Sequence, residues 1–424
     1  MHRKGVKFEI LSNPEFLSAG TAVNDLLRPD RVLIGSNMTP TGTRAAELLA
    51  GIYAAWVPRE RILTTNLYSS ELAKLVANSM LAQRISSINS ISAICERTGA
   101  DVDEVANSIG WDPRIGNKFL KAGIGFGGSC FKKDILSLVY LAESEGLDEV
   151  AEYWRQVVKM NEYQRDRFTK RVIKCLNNTL TGKKIAVLGY AFKPNTSDTR
   201  ESPALEIIKS LLDEGPREIA VFDPCCNPLV IQEEIQKLVG VERAFKQNGG
   251  PVAVYGNGYE ACDASDAILI TTEFDEFRSS HMEPHNAPPV RSPKQMFLVR
   301  DSLSFERPAP SELDLTSHKF AHAQDGQAAS PTNPAKDPVE RFVAEPPCAA
   351  DCPDCVLEAA SVGVGHTFGL IAEGDSVRER LDWARVTYRM REPKWVFDGR
   401  GVLELQDMAK LGVRLESVGR KGRG

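Results

Sequence analysis

The 424-residue sequence predicts an α/β protein: a remnant of an N-terminal Rossmann-like domain, a central helical dimerisation block, and a C-terminal doubly wound Rossmann-like domain. Three observations carry that prediction. From residue 183, apolar β-branched runs alternate with amphipathic helical runs, the β-α-β order of a parallel sheet. Between 66 and 178 the apolar spacing is three to four residues almost throughout, the signature of helix. Ahead of that block lie three strand-like runs and one helix with no further strand in front of them.

Within 1–65, "KFEIL", "RVLIG" and "RILTTN" are short apolar runs of strand type, and "TGTRAAELLAGIYAAW" is an amphipathic helix. With nothing before "KFEIL" to complete a sheet, this domain is expected to be cut open. Residues 69–98 hold apolar residues at helical spacing with no Pro or Gly, so one long helix is expected, capped by Ser69 or Ser70 and ended by Gly99. Helices near 102–109 and 130–145 follow, then a long one over "EVAEYWRQVVKMNEYQRDRFTKRVIKCL". Residues 66–178 thus form the helical block. In the C-terminal domain (179–278 with 381–424), "KKIAVLGYAFK" reads as a buried strand ending at Gly189, "SPALEIIKSLLDEG" as a helix and "EIAVFDP" as a second strand. "EACDASDAILITTEF" gives a helical turn and a third strand, and from 381 the chain returns to helix then strand. Residues 279–380 differ: they hold half of the prolines and five of the six histidines without any sustained period, and are expected to be a disordered insertion.

Composition narrows the function. A net charge of −5, from 52 basic and 57 acidic residues, leaves no basic field for nucleic acid and no polybasic membrane patch. No apolar run approaches the ~18 residues that span a bilayer. "MHRKGVKFEILSNPEF" has a positive start but no apolar core of a signal peptide. Nine scattered cysteines in a long chain read as reduced thiols, hence a cytoplasmic protein.

The stretch "AGIGFGGSCFKKD" is the strongest candidate site. Cys130 stands at the mouth of a helix, where free N–H groups and the dipole favour a thiolate, with Lys132 and Lys133 adding positive charge. Asp134, four residues on, shares its face. Gly125, Gly127 and Gly128 let the backbone approach a ligand. Cys130 is either a nucleophile or a small buried cysteine after a flexible loop. A dinucleotide-binding turn is disfavoured because no strand precedes the glycines. Lys74 and Asn78, at i and i+4, could hold an oxyanion or sugar hydroxyls, or be a solvated Lys and a mid-helix Asn. Glu15, after a strand, either faces the ligand crevice of an open sheet or is a turn residue behind Asn-Pro. In "GYAFKPNTSDTRES", Lys193 could pair with a phosphate near Gly189, or the segment is a charged surface loop. Cys348, Cys352 and Cys355 with His366 depart from standard zinc spacing and read as chance, so no metal is expected.

In this order and spacing the motifs resemble the UDP-glucose/GDP-mannose dehydrogenase family, over residues 6–277 and 381–420. The matching text is "LSNPEFLSAGTAVNDLLRPDRVLIG", "SSELAKLVANSMLAQRISSINSISAICERTGADVDEVANSIG", "RIGNKFLKAGIGFGGSCFKKD", "FKPNTSDTRES" and "FDGR". The resemblance implies oxidation of UDP-glucose to UDP-glucuronate with two NAD through a thiohemiacetal and a thioester on Cys130. It implies that Asp134 works with the catalytic water, that Lys74 stabilises oxyanions with Asn78 beside it, and that Glu15 serves acid/base or water handling. For substrate it implies Glu15, Phe16, Leu17, Lys74, Asn78, Lys121, Gly123, Gly125, Phe126, Gly127, Phe192, Lys193 and Arg400, with Arg114 reaching a neighbouring subunit's substrate. Cofactor contact is implied for Cys130, Lys133 and Arg200, and a homodimer or hexamer built on the central helix. Three departures stand out: no strand with G-x-G-x-x-G precedes Glu15, Ala19 replaces a Glu common in the family, and about a hundred residues separate "TTEFDEF" from "LDWARV". The first leads us to expect impaired NAD use by the chain as written. The alternatives are a non-catalytic UDP-sugar-binding and oligomerisation fragment, or a dehydrogenase for GDP-mannose or UDP-N-acetylmannosamine.

Overall fold

In the computed structural model, residues 8–240, 244–279 and 380–421 are described. The body of the expected insertion and the cysteines at 348–355 with His366 lie outside them.

The N-terminal sheet has the order β1-β2-β3, formed by Leu11–Ser12, Val32–Ser36 and Ile62–Asn66. β2 and β3 are parallel and joined by α2 (Pro40–Tyr53), whereas β1 runs antiparallel to β2. The strand expected over "KFEIL" is confined to its last residue and Ser12. Leu11 pairs with Ser36, the end of β2, so Phe8, Glu9 and Ile10 have no further β2 residue to pair with, and Pro14 ends the run because it lacks an N–H. α1 (Ala22–Leu27) buries no side chain and gives no periodic signal, which is why sequence reading passes over it.

The helical block comprises α3 (Leu67–Thr98), α4 (Val102–Gly110), α5 (Phe131–Ser144) and α6 (Asp148–Cys175). The cap of α3 is Asn66, not Ser69 or Ser70: its side-chain oxygen accepts from the Ser69 N–H at 2.8 Å. Ser70 is buried and donates to the Ser12 carbonyl instead. Gly99 ends the helix at φ 87°. The buried face of α3 is mostly small (Ser79, Ala82, Ser86, Asn89, Ser92), so α5 and α6 pack close to it. Ala82, Ile135, Val139, Ala151 and Val157 form the core between the three.

The C-terminal sheet is wholly parallel. Its strands β4 (Lys184–Leu188), β5 (Glu218–Phe222), β6 (Val252–Val254), β7 (Ala267–Ile270), β8 (Trp395–Asp398) and β9 (Arg414–Ser417) lie in the order β6-β5-β4-β7-β8-β9. Counted from β4 this is 3-2-1-4-5-6, the doubly wound order whose switch point falls between the first and fourth strands, here β4 and β7. Crossovers run through α7 (Pro203–Leu212), α8 (Pro228–Val239), α9 (Gly258–Cys262), α10 (Trp383–Tyr388) and α11 (Leu405–Lys410). β4 and β7 are buried at every position, the expected state of central parallel strands. The long segment between β7 and β8 leaves and re-enters at one place, since the Leu381 N–H donates to the Glu276 carbonyl at 2.8 Å.

Gly189, at the end of β4, has φ +96°, and an added Cβ would stand 2.4 Å from the Thr272 Cβ. Gly189→Ala therefore combines a left-handed backbone with a steric overlap. It should destabilise the C-terminal domain by about 3 kcal/mol, read as a lowered urea midpoint at unchanged slope.

Candidate active site

The loop that leaves β4 at the switch point, 189–202, is held at its base by the sheet. The buried Asp223 carboxylate accepts from the Tyr190 and Ala191 N–H groups at 2.6 and 2.9 Å. The Thr272 hydroxyl donates to the Ala191 carbonyl and the Ser202 hydroxyl to the Tyr190 carbonyl. This anchors Phe192 and Lys193 over the crevice. Lys193 donates to the Ser18 hydroxyl at 2.8 Å and lies above the Phe192 ring. Burial holds its pKa below the ordinary lysine value, partly offset by Asp25 and Asp198.

Against this loop lies the glycine-rich turn. The Gly123 N–H donates to the Asn89 side chain at 2.9 Å, and Gln164 donates to the Gly123 carbonyl at 2.7 Å. Asn161 bonds Phe126 in both directions, accepting at 2.8 Å and donating at 3.0 Å. Arg400, just past β8, donates to the Gly125 and Thr271 carbonyls at 2.9 and 2.8 Å. Its remaining amino group, Nη2, is buried with no partner among the described residues. The spaces beside Gly127 and Gly128 are filled by protein: a Cβ on Gly127 would lie 2.5 Å from the Glu201 carbonyl oxygen, and one on Gly128 2.9 Å from the Phe192 ring. These two glycines therefore admit the neighbouring loop rather than leave room for a ligand. No strand precedes the turn.

Cys130 is the residue ahead of α5, with helical φ −88° and ψ −52°. Its thiol is exposed and free, with the Ser129 hydroxyl 4.0 Å away. The Asp134 carboxylate, 2% exposed, does not turn to the sulfur; its oxygens accept from Asn78 and Lys133, both at 2.6 Å. The bond from Lys133 raises its pKa, against partial burial, with smaller contributions from the charges of Asp134, Cys130 and Glu15. Lys74 donates to the Glu15 carbonyl at 2.5 Å and its carboxylate at 3.1 Å. The Leu17 N–H holds the other Glu15 oxygen at 2.7 Å. The Phe16 ring carries the Arg31 guanidinium 3.8 Å from its centroid and Lys74 at 5.3 Å.

The structure thus brings Glu15, Phe16, Leu17, Lys74, Asn78, Cys130, Lys133 and Asp134 into one cluster. Gly123, Gly125, Phe126, Gly127, Phe192, Lys193 and Arg400 form the adjoining wall. Lys121 pairs with Glu273 at 3.2 Å. Arg200 pairs with Asp198 at 2.7 Å and flanks an open groove of about 800 Å³, lined also by Ser129, Lys132, Lys133, Leu136 and Tyr140. Arg114 is set apart on the exposed loop after α4, bonded to Asp112 of the same loop. Sequence reading missed Asn89, Asn161, Gln164 and Asp223, the groups that grip the turn and the loop. The available signal was their spacing: amides at 161 and 164 fall on the buried face of an amphipathic helix. No group of three or more His, Cys, Asp or Glu among the described residues could hold a metal ion.

Comparison with known proteins agrees over about two thirds of the chain, 66% in the relative given below. The central, UDP-binding and NAD-binding domain models of the UDP-glucose/GDP-mannose dehydrogenase family match residues 68–163, 186–297 and 1–57. A UDP-glucose 6-dehydrogenase of Pongo abelii is 53% identical over 291 residues, covering 66% of this chain and 56% of the relative. UDP-glucose 6-dehydrogenase 4 of Arabidopsis thaliana is 50% identical, covering 66% and 60%. The solved UDP-glucose dehydrogenase of the archaeon Pyrobaculum islandicum superposes with a TM-score of 0.55 at 34% identity, over 64% of this chain and 57% of that one. The chain accordingly spans little more than half the length of the relatives it matches. With all three domain models matched in order around one glycine-pinned cysteine turn, the chain belongs to the UDP-glucose/GDP-mannose dehydrogenase family.

Proposed function

We propose that the chain carries the sugar-nucleotide site of an NAD-dependent UDP-glucose 6-dehydrogenase, which oxidises C6 of UDP-glucose to the carboxylate of UDP-glucuronate. The observation that supports this most directly is the free, exposed Cys130 thiol at the N-terminus of α5, one turn before the buried Asp134 that accepts from Lys133 and from Asn78 of the helix carrying Lys74. The relatives named above carry that activity in their names.

In this reading NAD, when bound, supplies the oxidising power by accepting hydride from C6. The groove flanked by Lys133 and Arg200 beside Cys130 has room and charge for part of such an anionic cofactor. Cys130 attacks the C6 aldehyde as a thiolate, and its sulfur then carries the thiohemiacetal and, after the second oxidation, the thioester. The Lys74 ammonium and the Asn78 amide face the developing oxyanion. Glu15, held by Lys74 and the Leu17 N–H, passes the proton of the attacking water, and Asp134 keeps Asn78 and Lys133 oriented. Lys193 and Arg400 meet the UDP diphosphate across the crevice, with Phe192 behind them. Residues 1–65, 66–178 and 179–278 with 381–424 then act as the cofactor-side, central and UDP-side parts. A cytoplasmic homodimer or hexamer would bring the exposed Arg114 to a second copy. No described helix is long and apolar enough to cross a membrane.

The test is turnover of UDP-glucose with NAD, followed by NADH absorbance, beside calorimetric binding of UDP-glucose. Cys130→Ala should lower turnover by at least about 10³-fold while UDP-glucose affinity stays within about threefold. Undiminished turnover in that variant, or no binding of UDP-glucose by the parent chain, would sink the proposal.

The state of Lys193 gives a pH dependence. Its pKa is lowered by burial, and the protonated ammonium is the form that pairs with diphosphate. As pH rises through that lowered value the charge is lost and affinity falls, before the ordinary lysine range is reached. Calorimetry over rising pH should show this decline in the parent chain and not in Lys193→Arg, whose guanidinium keeps its proton. Parallel curves for the two proteins would refute it.

A further inference from the structure

Glu234 lies in α8, outside the cluster described above, yet it reaches the 189–202 loop. One carboxylate oxygen accepts from the Thr199 hydroxyl at 2.5 Å. The carboxylate also lies close to the buried Tyr190 hydroxyl at the start of the same loop, although neither the second carboxylate oxygen nor that hydroxyl has a well-aligned hydrogen-bond partner among the described residues. Burial first, and then the nearby Glu234 carboxylate, hold the Tyr190 proton in place. Burying a carboxylate against a loop costs desolvation that its contacts there, Thr199 above all, must offset.

The connections of Thr199 suggest what the contact does. It lies between Asp198 and Arg200. The Asp198 carbonyl accepts from the Phe192 N–H at 3.3 Å, and the Arg200 carbonyl from the Gly128 N–H at 3.1 Å, two residues before Cys130. Asp223, Thr272 and the Ser202 hydroxyl hold the loop's base at Tyr190 and Ala191, while the Cys226 thiol, 3.8 Å from the Ser197 carbonyl, and Lys132, 3.2 Å from Glu201, reach its far limb. Thr199 sits on the far limb, and Glu234 holds it there.

We propose that Glu234 is a positioning residue: through Thr199 it fixes the far limb of the 189–202 loop, and thereby sets Phe192 and Lys193 on one side and the Cys130 turn on the other. The inference rests on reading Cys130 and Lys193 as site residues. Its test uses the full chain and needs no NAD. Alkylation of Cys130 by iodoacetamide is followed by mass spectrometry of the Cys130 peptide, with and without UDP-glucose, and the melting temperature is recorded in parallel.

In Glu234→Ala, unliganded Cys130 should be alkylated about threefold faster or more, because the Gly128 tether to the Arg200 carbonyl is loosened and the turn carrying Cys130 moves more freely. The UDP-glucose concentration giving half protection should rise about fivefold, the worth of one hydrogen bond. Thr199→Val should behave alike, and the double variant should be no worse than either single change. Glu234→Gln keeps an acceptor for the Thr199 hydroxyl and should return both readouts to within about twofold of the parent. The proposal is overturned if both single variants fold and react with Cys130 at the parent rate, if their effects add, or if Glu234→Gln is as impaired as Glu234→Ala. Should UDP-glucose fail to protect even the parent chain, the substrate reading fails, and the unliganded rates decide the latch. If Glu234→Ala does not fold, Thr199→Val carries the same decision.

Discussion

The constraint on which the site depends is the backbone-to-backbone approach of the Gly125–Gly128 turn and the 189–203 loop. Gly127 lies where any Cβ would meet the Glu201 carbonyl, Phe192 and Pro203 within 2.8 Å, and Gly128 lies against the Phe192 ring. That closeness joins the helical block to the C-terminal sheet, and Arg400 reinforces it by donating to both sides of the junction. Cys130 follows directly and inherits a fixed position although its own side chain makes almost no contact. A rigid approach and an exposed thiol are thus two aspects of one arrangement.

The polar groups behind the turn work in the same direction. Asn89, Asn161 and Gln164 lie on buried helix faces and use their amides on turn backbone, so the hydrogen-bonding capacity of an irregular segment is met inside the fold. A second junction lies at the far end of α3. There Glu96 accepts from the Gly419 N–H at 2.8 Å and pairs with Arg167 and Arg171. Arg420 meets Asp101 and Asp103, both at 2.8 Å. The helical block is held to the C-terminal domain at both places, so the Cys130 turn cannot drift without breaking a polar network.

Elements with a strong period were legible in the sequence. The long helix α3 and the buried strands β4, β5 and β7 follow from spacing and β-branching, and Gly99 and Gly189 mark ends that need a left-handed backbone. Elements lacking such signals were missed. α1 buries nothing, and β6, α11 and β9 are short; α8 was passed over although Asn227, Pro228 and Gly240 mark its ends. In the candidate site the chemistry-bearing residues stood out by type, while their tethers did not. Asp223 and Glu234 look like ordinary charges beside a strand or on a helix, and nothing local says that each reaches a loop more than 30 residues away in sequence. The purpose of Gly127 and Gly128 was also not legible. A sequence shows that side chains are absent, and only the fold shows whether a ligand or a neighbouring loop takes the space.

The site is consequently a property of the whole fold rather than of any one motif. Its parts come from separate segments: Glu15 to Ser18, Lys74 and Asn78 on α3, the 121–134 stretch, the loop after β4, and Arg400 after β8. Each is positioned by a different element, and the bonds among them cross long sequence separations, such as Lys193 to Ser18 and Arg400 to Gly125. A doubly wound sheet explains why they meet where they do. At the switch point β4 and β7 send their loops to opposite sides, leaving a crevice at their carboxyl ends. The helical block fills part of that crevice with the cysteine turn, and the N-terminal segment covers another part through Ser18. Because no single segment can form the cluster alone, the setting of the Cys130 thiol reports on whether all three parts are folded and docked.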